Sequence, residues 1–244
     1  MSDNRGNSRG NGRRSSQGSR KSPGNGRRSG KKKRQAGYRL ANVNRGLVIL
    51  IIIAVILGIY SCAVRGDREI VNVDASEPNI DVQLLDVNPY SRPGTQVNQI
   101  NGIVVHYTAN PGSTAQQNRD YFNGLKDSHE TEASSNFIVG LDGEIIQCVP
   151  TWEMAYASNE RNADTVSIEC CHPDESGRFT DDTYRSLVQL TAWLCVKFNL
   201  TQDDVIRHYD VTGKDCPKYF VENPEEWEIF KENVGKAIEK SSAE

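Results

Sequence analysis

The 244-residue chain holds four histidines, His106, His129, His172 and His208, and two of them fall where an apolar run ends. His106 lies within Ile103-Val104-Val105-His106-Tyr107, and His208 closes the run from Val205 to Tyr209. Thr212-Gly213 should then turn the chain, so a loop can bring Cys216, which precedes Pro217, back to the end of the strand. Two imidazoles, one thiolate and a water make an open catalytic zinc set, whereas structural zinc sites close all four positions with protein. Spacing alone leaves other readings open: a histidine in an apolar strand is often a satisfied core residue, and Cys216 can be a core or disulfide cysteine. His129, in the polar loop Asp127-Ser128-His129-Glu130, reads as a substrate-groove or plain surface residue. His172, beside Pro173 and Asp174, reads as structural or groove-lining.

The elements that must position these residues are legible in outline. The run at 103–107 ends at Asn110-Pro111-Gly112 and reads as a buried strand. Ser113 or Thr114 can cap a helix through Lys126, with Tyr121, Phe122 and Leu125 as its apolar stripe. Asn136–Val139 and Glu144–Val149 flank Leu141-Asp142-Gly143, a hairpin signal. Thr165–Cys170 is another strand, whose alternation sends Cys170 and Cys171 to opposite faces. Thr180, Asp181 and Asp182 open a helix carrying Leu187, Leu190, Leu194, Cys195 and Phe198 to about Asn199. Asn223 and Pro224 start a closing helix with Trp227, Phe230, Val234 and Ile238 facing inward. Strands and helices interleave around one hairpin, which predicts an α/β fold with a mixed central sheet covered by helices.

Charge divides the chain. Residues 1–45 hold fourteen of the 29 Lys and Arg and one of the 32 acids, leaving fifteen basic against 31 acidic residues from position 46 onward. The first segment is too polar to bury a core and reads as a disordered tail. Residues 46–64 (GLVILIIIAVILGIYSCAV) carry no charge. At about 1.5 Å per residue they are just long enough to cross a hydrocarbon core of roughly 30 Å as one helix. The positive-inside rule sets the tail in the cytoplasm and the acidic remainder outside. A tail held beside a bilayer meets anionic lipid first, so nucleic acid is not the expected partner. Tyr60 fits poorly with lipidation of Cys62, and no cleavage site follows the apolar run, so an uncleaved anchor is expected. Residues 65–98, with Pro78, Pro89 and Pro93, read as a stalk, and 99–240 as one domain, expected to be monomeric.

Four successive stretches carry a resemblance. They are Val104-Val105-His106-Tyr107-Thr108-Ala109; Ser135 through Gly143; Asn162 followed by Thr165-Val166-Ser167-Ile168-Glu169; and Arg207-His208 through Lys214 and Cys216-Pro217. In order and with these spacings, over about residues 100–235, the chain resembles the type 2 N-acetylmuramoyl-L-alanine amidases, the superfamily that includes phage amidase endolysins and peptidoglycan recognition proteins. The resemblance implies zinc held by His106, His208 and Cys216, with Glu169 as general base and acid and Lys214 at the oxyanion. It implies peptidoglycan as substrate, cut between muramic acid and L-alanine; with the topology above, the cut is expected on the outer face of a bacterial membrane, and Tyr107, Asn136 and His129 are expected toward the substrate. The chain also departs from the family: Ser135 and Asn136 stand where some relatives have aromatic residues, so no tyrosine there does acid–base work, and Ser167 stands where glycine is usual. Recognition proteins of the superfamily bind muropeptides without cutting them and typically lack the third ligand, so Cys216 favours catalysis. A cysteine hydrolase is disfavoured, because neither Cys216 nor Cys171 has a glycine-rich or helix-N-terminal setting to activate it. The pairing state of Cys148, Cys170, Cys171 and Cys195 stays open at this level.

Overall fold

The computed structural model describes residues 46, 48–55 and 73–242. The chain divides into two compact units, Met1–Arg65 and Gly66–Glu244. In the first, Gly46 and residues 48–55 are helical, and the large apolar side chains from Val48 to Val55 are exposed. Residues 47 and 56–64 of the expected spanning segment, and the basic tail at 1–45, lie outside the described residues. Among the described residues no helix is long and apolar enough to cross a membrane.

The second unit is a six-stranded sheet with helices on both faces. Its strands are β1 (Ile80–Val82), β2 (Gly102–Tyr107), β3 (Phe137–Val139), β4 (Ile145–Gln147), β5 (Thr165–Cys170) and β6 (Val205–Arg207). They lie in the order β1-β4-β3-β5-β2-β6, parallel everywhere except between β3 and β4, so the expected mixed sheet is present. The helices are α1 (Ala115–Ser128), α2 (Asp181–Phe198), α3 (His208–Thr212), α4 (Lys218–Glu222) and α5 (Pro224–Ser242).

Strand alternation separates two cores. Ile103 and Val105 of β2 with Val166, Ile168 and Cys170 of β5 face α2 and α5, where Leu187, Leu190, Leu194, Phe230 and Val234 complete one cluster. Ile138 and Ile146 point the other way, to Phe122 and Leu125 of α1, with Leu85 and Cys171. Tyr121, expected in the apolar stripe of α1, is instead exposed. Thr114 caps α1 in a reciprocal capping box with Gln117, and Thr180 caps α2 through the Thr183 amide. The five cysteines of this unit, Cys148, Cys170, Cys171, Cys195 and Cys216, are buried free thiols.

Two expectations need correction. Of the stalk expected at 65–98, the described residues 73–98 contribute a strand and core side chains to this unit. β1 pairs in parallel with β4, Leu85 is 1 % exposed, and Arg92 donates to both carboxylate oxygens of Glu153 at 2.7 and 2.9 Å. Three residues of alternating Ile-Asp-Val between prolines carry too little pattern to read as a strand. The last strand, expected through Tyr209, ends at Arg207, and His208 opens α3. Asp210 accepts from the Arg207 backbone amide at 2.8 Å and turns the chain into the helix there.

Candidate active site

β2, β5 and β6 end side by side, and the site lies across their C-terminal ends, where open α/β sheets place ligands. His106 and Glu169 are direct cross-strand partners on β2 and β5. By alternation both point away from the α2–α5 core. His208 arrives from the start of α3. Gly213, at φ 75°, ends that helix, and the loop returns Cys216 so that its carbonyl accepts from the Tyr209 amide at 2.8 Å. Nitrogen atoms of His106 and His208 and the sulfur of Cys216 all lie within 4.8 Å of one another, and all three residues are buried.

The outer hydrogen bonds fix which ring nitrogen faces the common point. His208 Nε2 lies 2.9 Å from Asn159 Oδ1, which only accepts, so Nε2 carries the hydrogen. His208 Nδ1 is then a buried lone pair without a partner. His106 Nε2 meets Ser158 Oγ at 3.0 Å, leaving its Nδ1 3.8 Å from Cys216 Sγ. A tetrahedral zinc ion spaces its nitrogen and sulfur ligands by ~3.6 Å, so the donor set fits such an ion. Electrostatics agree. Burial first, then His208 and Lys214, holds His106 well below the ordinary imidazole range, and burial and Lys214 lower His208, so both rings are neutral donors. Burial and then Glu169 push the Cys216 thiol up to about 12, while the Tyr107 amide donates toward its sulfur. A bound cation is what makes such a sulfur a thiolate. Without one the thiol is inert, against the cysteine-hydrolase reading.

Glu169 Oε1 lies 4.0 Å from His106 Nδ1, and its Oε2 is buried without a partner. Burial raises its pKa to about 8, against the pull of Lys214. These groups share a cavity of ≈ 340 Å³ with Lys214 and Tyr107.

The family model for N-acetylmuramoyl-L-alanine amidase matches residues 96–219, more than half of the chain. The chain belongs to the N-acetylmuramoyl-L-alanine amidase family. It is 33 % identical over 160 residues to N-acetylmuramoyl-L-alanine amidase CwlL of Bacillus licheniformis, covering 61 % of this chain and 44 % of that protein. It is 32 % identical over 182 residues to the amidase BlyA of Bacillus subtilis strain 168, covering 64 % and 48 %. The chain thus spans about half the length of the curated relatives it matches. Among solved structures it resembles a mutant endolysin from Bacillus subtilis, with TM-score 0.55 and 27 % identity over 65 % of this chain and all of that one. The catalytic domain of XlyA aligns with TM-score 0.56 and 25 % identity, over 65 % and 100 %.

Within this amidase fold, His106, His208, Cys216, Glu169, Lys214 and Tyr107 converge on one cavity. Two residues expected toward the substrate lie elsewhere. Asn136 is 1 % exposed, and its amide is fully engaged: Nδ2 donates to the carbonyls of Pro150 and Glu153, and Oδ1 accepts from Ser167 N and Oγ. His129 is the left-handed C-cap of α1, stacked on Tyr90 with ring centroids 4.3 Å apart. His172 packs its ring 5.1 Å from that of Tyr107 and donates from Nδ1 to the Asp174 carbonyl. Sequence reasoning missed Ser158 and Asn159, which hold both imidazoles, and the cavity wall formed by Phe122, Glu132 and Tyr156. Asn162, at the head of the third motif, was the available signal, because it bonds the turn that carries Ser158.

Proposed function

We propose that this domain hydrolyses the amide bond between N-acetylmuramic acid and L-alanine in peptidoglycan, with zinc held by His106, His208 and Cys216. The observation that carries the reading is the convergence of those three buried donors beside Glu169, whose Oε2 is buried without a partner, in one open cavity. Family membership and the relatives named as amidases support the choice of bond. When bound, zinc supplies a Lewis acid and lowers the pKa of water toward about 7.

The chain's own groups account for the rest. Glu169 takes a proton from the attacking water as its oxygen bonds to the lactyl carbonyl carbon. The Lys214 ammonium, on the exposed side of the cavity, offsets the negative charge that develops on the carbonyl oxygen. Glu169 then returns the proton to the amide nitrogen, the C–N bond breaks, and the products are a lactyl carboxylate and a peptide beginning with L-alanine. Tyr107 lines the same cavity.

The alternative is a muropeptide-binding module that does not cut. Metal analysis of the purified chain, with mass spectrometry of digested muropeptides, separates the two. Stoichiometric zinc with new L-alanine amino termini supports hydrolysis, and saturable binding with no new termini overturns it.

The reading extends to location. An uncharged run of nineteen residues beside a strongly basic segment supports a single-pass anchor in a bacterial cell membrane, with the amidase domain outside. Protease added to intact cells should digest the domain and spare the tail. A chain released by high salt alone is not anchored this way.

A further inference from the structure

We propose that Asn162 is the positioning residue for both imidazole ligands, acting through the turn Ala157–Asn159. The inference rests on the zinc reading above. Asn162 Oδ1 accepts from two consecutive backbone amides, Ala157 at 3.0 Å and Ser158 at 2.5 Å. The two residues after Ala157 each hold a different histidine: Ser158 Oγ meets His106 Nε2 at 3.0 Å, and Asn159 Oδ1 meets His208 Nε2 at 2.9 Å. His106 comes from β2 and His208 from α3, so this turn is where the orientations of two ligands from separate elements are set together.

The backbone makes the turn specific. Asn159 sits at φ 53°, a left-handed conformation that asparagine tolerates better than most residues. The position therefore needs a residue that both accepts this geometry and presents an acceptor oxygen. Ser158 is 1 % exposed, so its hydroxyl has no water to bond in place of the imidazole. Asn162 lies within the short helical turn Asn159–Ala163 that leads directly into β5, the strand carrying Glu169. One side chain thus fixes the outer partners of two ligands at the entrance to the strand that bears the proposed base. Outer hydrogen bonds of this kind fix ligand orientation, and their loss typically weakens metal affinity about 10–100-fold.

The test measures zinc affinity of the whole chain by competition with a chromophoric chelator, and the absorption spectrum of the cobalt(II)-substituted protein. Asn162→Ala should weaken zinc binding about 10–100-fold and shift the cobalt bands. Asn162→Asp, which keeps an acceptor oxygen, should restore both. Asn159→Gly accepts the same φ without strain but lacks Oδ1. It should weaken zinc binding and shift the cobalt bands, as should Ser158→Ala. These two variants carry the test if Asn162→Ala does not fold. In the Ser158→Ala/Asn159→Gly background, Asn162→Ala should add little, because the residues act as one unit. Wild-type zinc affinity and cobalt spectrum in Asn162→Ala or Asn159→Gly overturn the inference alone. A wild-type chain that binds no zinc overturns the proposed function and the inference with it.

Discussion

Glu169 and the three candidate metal donors share one cavity, but substitution should separate their contributions. Glu169→Gln keeps the shape of the side chain and removes its ability to take a proton, so zinc content should stay stoichiometric while turnover falls about 10²–10⁴-fold. His208→Ala should remove the zinc itself, read by metal analysis after gel filtration. If Glu169→Gln keeps most of its activity, the base is another group. Three buried residues that stand apart in the sequence motifs, Ser135, Asn136 and Ser167, form one network. Ser135 Oγ lies 3.0 Å from the Ser167 carbonyl, the Asn136 amide donates to Ser167 Oγ at 3.1 Å, and Ser167 N and Oγ both reach Asn136 Oδ1. The three side chains therefore satisfy one another, which a single sequence cannot show, and Asn136 supports the sheet rather than the substrate. Ser167→Ala leaves buried polar partners unmet and should cost on the order of 1–3 kcal/mol in urea unfolding. The convergence of His106, His208 and Cys216 was legible because few residue types hold metal ions and their order is distinctive. Ser158 and Asn159 were not, because a serine and an asparagine in a polar stretch look like any turn.

At the scale of elements, legibility followed length. The eighteen residues of α2 and nineteen of α5 repeat their apolar spacing over several turns, and both were read nearly to their ends. β1, β3, β4 and β6 have three residues each, too few for a period to declare itself, and pairing with neighbours decides their bounds. The segment after β1 shows how such a short element is held. Asp86 accepts from Lys126 of α1, its backbone amide donates to Asn123 Oδ1 at 2.9 Å, and Arg119 donates to the carbonyls of Gln83 and Leu84. The hydrogen bonds from Lys126 and Asn123 hold the Asp86 carboxyl below its ordinary value. A depressed carboxyl stabilises the fold above the unfolded pKa of about 3.9, and that contribution is lost as pH falls through the folded value. Asp86→Asn should therefore lower the urea midpoint at pH 7, and the gap from wild type should close as pH drops below about 4. The gap should also narrow in high salt, since the pair is exposed. A gap independent of pH would assign the effect to packing.

At the scale of the whole molecule, the boundary of the folded unit decides what a minimal amidase domain must contain. The family match begins at residue 96, and the sequence pattern places the start at 99. The structure extends the unit upstream, because three kinds of contact cross that boundary. β1 covers the edge of β4, Leu85 fills the core beneath α1, and Arg92 pairs with Glu153, itself 9 % exposed. A chain starting at residue 99 would leave the β4 edge open, with a vacancy where Leu85 sat. Filling such a core position is worth about 2–5 kcal/mol. It would also leave Glu153 without its guanidinium, a further loss on the order of 1.5–3 kcal/mol. Typical domains have only about 5–15 kcal/mol in total. A chain starting at residue 73 should therefore unfold cooperatively with a wild-type midpoint, whereas one starting at 99 should be unfolded or aggregate through its open edge. Circular dichroism and analytical ultracentrifugation of the two purified fragments read the difference. A stable, monomeric fragment from residue 99 would mean that the upstream segment only decorates the domain and that the zinc site needs nothing before β2.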